Sequence, residues 1–259
     1  MTRIAFTKGH GTGNDFILFF DPSNELNLSQ TQISKICNRH FGLGADGVLI
    51  AVFDSVWFMD YRNADGSIAE MCGNGIRVFA EFLYQRNLIA SVAHIKTRAG
   101  MKRVERVGEN TWSVEMGAIT SDEISESLRF QDTSHKATSV NVGNPHVVIQ
   151  LDDFNILPDT LQWTEVETLA SHPEGFNLEF YVVNSDTSVS MRVLERGVGE
   201  TLSCGTGVCA VGYLHMQRIR KTKCEVNVPG GKLNVELQAN GICLVGPAEL
   251  IADGFVEVL

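Results

Sequence analysis

Two cysteines stand out by what surrounds them. Cys72 lies in Met71-Cys72-Gly73-Asn74-Gly75-Ile76-Arg77, and Cys204 in Ser203-Cys204-Gly205-Thr206-Gly207-Val208. Each is followed by Gly-x-Gly and opens an apolar segment of helical character. Glycines there let backbone N–H groups approach a ligand with no Cβ in the way. A helix N-terminus carries unpaired N–H groups and a partial positive charge, which favour a thiolate or a substrate carboxylate.

Three chemistries fit such cysteines. A nucleophile needs one sulfur and a nearby base such as His. A redox pair needs two sulfurs within bonding distance, commonly as Cys-x-x-Cys, and no Cys-x-x-Cys occurs here. Stereoinversion needs two sulfurs flanking one carbon: a thiolate removes a proton, and the opposite thiol delivers one to the other face. A free thiol has a pKa of about 8.5, so only a few per cent is ionised at neutral pH. The helix dipole contributes roughly 0.3–2 kcal/mol. A carbon base of this kind therefore also needs desolvation and N–H donors for the charge that spreads into the carboxylate.

Other polar residues lie in turns near these loops. Asn14, Asn63, Asn144 and Asn177 are of the type that binds carboxylates and amines, or that simply closes a turn. His146 and Glu195 can tune acid–base behaviour, and Arg196 can grip a carboxylate with a bidentate fork. Cys37, Cys209, Cys224 and Cys243 read as small buried hydrophobes. Cys204 and Cys209 are spaced too loosely for a zinc knuckle, so no metal site is expected.

The elements that hold these residues follow from pattern. Ser29-x-x-Gln32 is a capping box that predicts a helix to about Arg39. Gly42-Leu43-Gly44-Ala45-Asp46-Gly47 fits G-x-G-x-x-G, but it follows a helix and opens a strand, the reverse of a dinucleotide site, and reads as a turn. Helices are expected from Cys72 through Tyr84 and from Cys204 through about Gln217, and Thr164-x-x-Glu167 predicts a short capped helix. Most other segments read as strands.

The halves echo each other. Cys72 follows Asn14 by 58 positions, and Cys204 follows Asn144 by 60. Gly100 follows Cys72 by 28, and Gly231 follows Cys204 by 27. Landmarks in one order at near-equal spacing predict two copies of one domain, the second beginning near Gly117. Gly207 to Leu214 is apolar all round, as a fully buried helix should be. Many strands and one buried helix per half predict a sheet curled about a central helix, twice. If the two domains face each other, the sulfurs flank a cleft.

Composition bounds the rest. The 259 residues are 44% hydrophobic, enough for a substantial core. A formal net charge of -10 argues against nucleic-acid or anionic-membrane partners. No apolar run approaches the roughly 18–20 residues that span a bilayer, and the start lacks a signal-peptide core. A soluble, cytoplasmic protein is expected.

The motifs taken together resemble one family. Gly13-Asn14-Asp15-Phe16, Asn63-Ala64-Asp65-Gly66-Ser67, the two cysteine loops, Gly143-Asn144-Pro145-His146 and Glu195-Arg196-Gly197-x-Gly199-Glu200-Thr201 are similar to those of diaminopimelate epimerases, in order from about Phe6 to Phe255. The resemblance implies interconversion of LL- and meso-2,6-diaminopimelate in lysine and peptidoglycan synthesis, with no pyridoxal phosphate or other cofactor. It implies a homodimer, and an α/β fold of the α+β type. In that fold two pseudo-symmetric domains each wrap a curved, mostly antiparallel sheet around a central helix. The C-terminal strand returns to the first domain, giving 1–117 plus 249–259 and 118–248. Cys72 and Cys204 become the acid–base pair. Asn14, Asn63, Asn144, Asn177 and Arg196 become substrate contacts, with Glu195 near the reacting amine. Gly73, Asn74, Gly205 and Thr206 supply donors to the reacting carboxylate, and His146 supports the site. One departure is Gly47, where many members carry a glutamine contact. A proline-racemase-like isomerase, a thiol redox protein and an amino-acid-binding module are the other readings.

Overall fold

The computed structural model describes residues 2–123 and 127–258. Met1, Leu259 and residues 124–126 of the expected domains lie outside them. The chain divides into two compact units, Met1–Val114 with Gly246–Leu259, and Glu115–Val245.

The first unit runs β1 (Thr2–Gly11), β2 (Asn14–Phe20), α1 (Gln30–Cys37), β3 (Gly47–Asp54), β4 (Val56–Asn63), α2 (Gly73–Gln85), β5 (Val92–Thr97), β6 (Gly100–Gly108) and the start of β7 (Thr111–Gly117). The second holds the short strands β8 (Thr120–Glu123), β9 (Leu128–Phe130) and β10 (Thr133–His135). It continues through β11 (Thr138–Asn141), β12 (Pro145–Leu151), β13 (Asn177–Ser185), β14 (Ser188–Glu195) and β15 (Gly199–Thr201). Then come α3 (Gly205–Ile219), β16 (Lys223–Val228), β17 (Gly231–Gln238) and β18 (Gly241–Pro247). The last strand, β19 (Glu249–Val258), pairs antiparallel with β1 and so belongs to the first unit.

The repeat is visible in the pairing. In the first unit β1–β2 is antiparallel, β2–β3 parallel, β3–β4 antiparallel, β4–β5 parallel, and β5–β6 and β6–β7 antiparallel. In the second β11–β12 is antiparallel, β12–β13 parallel, β13–β14 antiparallel, β14–β16 parallel, and β16–β17 and β17–β18 antiparallel. The order of pair types is the same, so the two units are pseudo-symmetric. Parallel neighbours need a crossover between them. α2 is the crossover from β4 to β5, and α3 the one from β14 to β16.

These two helices carry the cysteines. α2 is buried at every position from Gly73 to Leu83 and packs on β1, β2, β3 and β19. α3 packs on β12, β13, β14, β16 and β17. A helix surrounded by sheet must be apolar on most faces, which is the pattern of Gly207 to Leu214. Among the described residues no helix is long and apolar enough to cross a membrane.

Two local expectations need correction. α1 has the Ser29/Gln32 capping box but ends at Cys37 rather than near Arg39, because Asn38 turns extended and Leu43 and Gly44 donate back to Ile36 O. A Cβ on Gly42 would lie 2.1 Å from Lys35 O, so this turn admits only glycine there. The short helix expected from Thr164 is a single 3-10 turn, Trp163–Glu165, capped reciprocally by Gln162 and Glu165. Glu167 instead pairs with Arg129.

Arg77 locks the start of α2. It is fully buried. It donates to Gly73 O at 3.0 Å, Asn74 Oδ1 at 3.1 Å and Pro247 O at 3.2 Å. One guanidinium thus ties the Cys72 loop to the chain as it enters β19. Arg77→Leu is expected to lower unfolding free energy by about 3 kcal/mol, since several buried acceptors lose their donor. Urea unfolding measures this, and a loss within about 0.5 kcal/mol of zero, the level of an ordinary surface change, would show that Arg77 locks nothing.

Candidate active site

In the first unit Cys72 is the N-cap of α2. Its backbone is extended, and its sulfur accepts from Gly75 N–H at 3.4 Å. The residue is half-buried. Gly75 is tight: a Cβ there would meet Phe16 Cζ at 3.3 Å and Cys72 Cβ at 3.4 Å. The glycine thus lets the loop close onto its own cysteine as well as toward a ligand.

Asn14, at the start of β2, meets this loop. Its Oδ1 accepts from the Cys72 thiol at 3.5 Å and from Asn74 Nδ2 at 3.3 Å. Its Nδ2 donates to Asp46 Oδ2 at 2.8 Å. Asp46 is fixed in turn by Arg39 at 2.7 Å, and Arg39 also grips Asp15 at 2.8 Å. Burial pushes the Asp15 carboxyl up, but Arg39 and Lys8 outweigh it and hold it below its ordinary value. This charged group orients the Asn14 amide, with its oxygen toward sulfur. Asp46 was missed as a site residue because it lies in the G-x-G-x-x-G stretch read as a turn.

Asn63 ends β4 and is committed to its own turn, donating to Ser67 Oγ at 3.0 Å. It pairs across the sheet with Gly47, which also neighbours Phe16 on β2. The departure at Gly47 has a steric reason. A Cβ there would lie 2.6 Å from Arg62 O and 2.8 Å from the Tyr61 ring. A glutamine would have to displace both.

In the second unit Cys204 is the N-cap of α3, and its sulfur has the Gly207 N–H beside it without a closed capping hydrogen bond. It lies 3.5 Å from Thr206 Oγ1 and is only 6% exposed. Burial pushes this thiol well above its ordinary value, and the carboxylates of Glu195 and Glu179 push it further. The Thr206 hydroxyl and the Gly207 N–H act the other way and are outweighed. The helix start alone favours a thiolate; here it loses to desolvation and two negative neighbours.

Glu195, at the end of β14, accepts from Thr201 Oγ1 at 2.5 Å. Burial raises its pKa, against the Thr201 and Cys204 hydrogen bonds. His146 is fully buried on β12. Its Nδ1 is 2.6 Å from Glu179 Oε1, and its Nε2 is 3.0 Å from Asn144 Oδ1. Asn177 sits beside His146 in the parallel register of β12 and β13. It donates to Pro145 O at 3.3 Å and accepts from Arg196 N–H at 3.0 Å. The Arg196 guanidinium is exposed and donates to the main-chain Glu174 O at 2.9 Å.

The structure therefore joins Asn14, Cys72, Gly73 and Asn74 in one unit. It joins Asn144, His146, Asn177, Glu195, Arg196, Cys204, Gly205 and Thr206 in the other. Among the described residues no group of three or more His, Cys, Asp or Glu is placed to hold a metal ion.

Solved structures of the same architecture include a phenazine biosynthesis protein of the PhzF family from Bacillus anthracis. It has a TM-score of 0.76 at 15% identity and covers 100% of both chains. A hydroxyproline epimerase from Agrobacterium vitis has a TM-score of 0.69 at 14% identity, covering 98% of this chain and 92% of that one. At such identities these likenesses define the class of fold: a duplicated α+β unit. A family model described as diaminopimelate epimerase matches residues 6–121 and 138–251. Diaminopimelate epimerases from Streptomyces coelicolor and Thermobifida fusca are 38% and 37% identical over 98% of this chain, and 95% and 98% of theirs. The chain belongs to the diaminopimelate epimerase family, a family of isomerases.

The unequal surroundings of the two thiols predict unequal reactivity. Iodoacetamide at pH 7.5 is expected to label Cys72 faster than Cys204, because burial and two carboxylates raise the Cys204 thiol and lower its thiolate fraction. Peptide mass spectrometry reads the order, and faster labelling at Cys204 would contradict it.

Proposed function

We propose that this chain epimerises 2,6-diaminopimelate between its LL and meso forms, using Cys72 and Cys204 as two acid–base groups and no cofactor. Membership of the family supports the substrate. The observation that carries the mechanism is that each unit ends a strand-and-loop segment in a cysteine at the N-cap of a buried helix.

In this reading one thiolate takes the α-proton and the other thiol protonates the opposite face. The negative charge that develops spreads into the substrate carboxylate. N–H groups at Gly73, Asn74, Gly205 and Thr206 receive it, where fixed dipoles in a dry site act most strongly. Glu195 receives the reacting ammonium, whose positive charge favours the ionised carboxylate against burial. Asn14, Asn63, Asn144, Asn177 and Arg196 hold the polar ends of the substrate, and Arg196 leaves Glu174 O to do so. His146 supports the second loop from β12. Cys72 is the readier base and Cys204 the readier acid, in keeping with the burial and negative neighbours of Cys204. The same reading includes a cytoplasmic homodimer serving lysine and peptidoglycan synthesis.

Cys72→Ala and Cys204→Ala are each expected to lower epimerisation of diaminopimelate by about 10²–10⁴-fold, the span of a general acid or base. Proline, assayed beside it, should not racemise. Near-wild-type turnover in either variant would sink the two-cysteine mechanism, and turnover of proline in preference would sink the substrate.

A further inference from the structure

Glu179 is the feature for which neither the family motifs nor the mechanism above has a use. It sits in β13 between Leu178 and Phe180, and all three side chains are fully buried. A carboxylate inside an apolar strand costs several kcal/mol unless it is paired. Its hydrogen-bonded partner is the equally buried His146, through Oε1 at 2.6 Å. Its other oxygen, Oε2, has no hydrogen-bond partner among the described residues. Evolutionarily cheaper residues for this position abound; Leu or Val would fill the strand without any such cost.

Glu179 is also pressed against the catalytic helix. A Cβ on Gly207 would lie 2.6 Å from Glu179 Oε1. The second glycine of the Cys204 loop is therefore required by this carboxylate, whatever it does for a ligand. The first turn of α3 offers the positive end of the helix dipole to the negative charge.

The contacts of the imidazole complete the picture. One ring nitrogen faces a carboxylate and the other faces Asn144 Oδ1 at 3.0 Å. As placed, both partners present acceptor oxygens, an arrangement that an ionised Glu179 completes only when both ring nitrogens donate. With its oxygen spent on the ring, Asn144 keeps Nδ2 for a ligand. Were the ring neutral with its proton on Nδ1, the Asn144 amide would have to turn and spend Nδ2 on Nε2 instead.

We propose that Glu179 is a positioning residue of the active site: by pairing with His146 it holds the ring as a double donor, and this fixes which end of the Asn144 amide faces the substrate. The role of Asn144 rests on the functional reading above; the Glu179–His146–Asn144 chain does not. The ionisable groups around Glu179 are His146 from β12, Glu195 from β14 and Cys204 at the start of α3.

The test uses the intact chain with ring-nitrogen-labelled histidine. In the wild type at pH 7.5, nitrogen NMR should show His146, assigned by its loss in His146→Gln, with both ring nitrogens protonated. In Glu179→Gln, which keeps an acceptor but removes the charge, one ring nitrogen should lose its proton. The same variant should lower kcat/KM for diaminopimelate by roughly ten- to a hundredfold. Asn144→Ala should add little to that loss in the double variant, as expected for residues acting in one chain. A neutral His146 in the wild type overturns the proposal even if no variant folds. So does a doubly protonated ring in Glu179→Gln, or a kcat/KM within twofold of wild type. If the ring behaves as stated but diaminopimelate is not turned over by the wild type, the functional reading fails and the positioning chain stands.

Discussion

The first N–H groups of a helix have no partner within it, and in both units a cysteine stands where they converge. That placement constrains much of what surrounds it. A helix start can serve a small polar ligand only if the helix is held still and kept dry, so α2 and α3 are wrapped in sheet and buried along much of their length. In each unit the buried helix is the crossover between two parallel strands, which fixes its place in the pairing order. The loop at each helix start is also held by a buried charged side chain. In the first unit Arg77 ties it from within the helix through Gly73 O and Asn74 Oδ1, and in the second the Glu179 carboxylate packs against Gly207 from a neighbouring strand.

The two units keep one topology and differ in their electrostatics. The Cys72 sulfur meets Asn14 Oδ1 and Gly75 N–H, and Asn14 in turn meets Asn74 and the charged group of Asp46, Arg39 and Asp15. The Cys204 sulfur meets the Thr206 hydroxyl and the carboxylates of Glu195 and Glu179, and Glu179 in turn pairs with His146. A duplicated unit with identical surroundings would give both sulfurs the same proton affinity. A stereoinversion instead begins with one sulfur ready to accept a proton and the other holding one. In the second unit burial and the carboxylates beside Cys204 raise its thiol.

Much of the fold was legible because it repeats. The spacing of Asn14, Cys72 and Gly100 against Asn144, Cys204 and Gly231 anticipated the shared pairing order, and the Gly-x-Gly loops anticipated the N-caps. The short strands β8, β9, β10 and β15 were not legible, since three or four residues are too few to show a period. Glu179 was hidden for another reason. Within Leu178 to Asn184 a single acid reads as one solvent-facing position of an alternating strand, yet β13 is buried on both faces from Asn177 to Tyr181. An acid inside a strand that parallel pairing buries on both sides is the signal that marks it. The exact reach of Arg196 was equally beyond the sequence, because its bond to Glu174 O depends on where the loop before β13 passes.

If two different groups handle the proton on the two faces of the α-carbon, early turnover of LL-diaminopimelate in deuterium oxide separates them. Deuterium is expected in the meso product and almost none in the LL substrate recovered at the same time, because the group that delivers has exchanged with solvent and the group that removes has not yet done so. Equal deuterium in recovered substrate and product, or a product that retains the original hydrogen, would mean that one group serves both faces and would contradict the two-group mechanism.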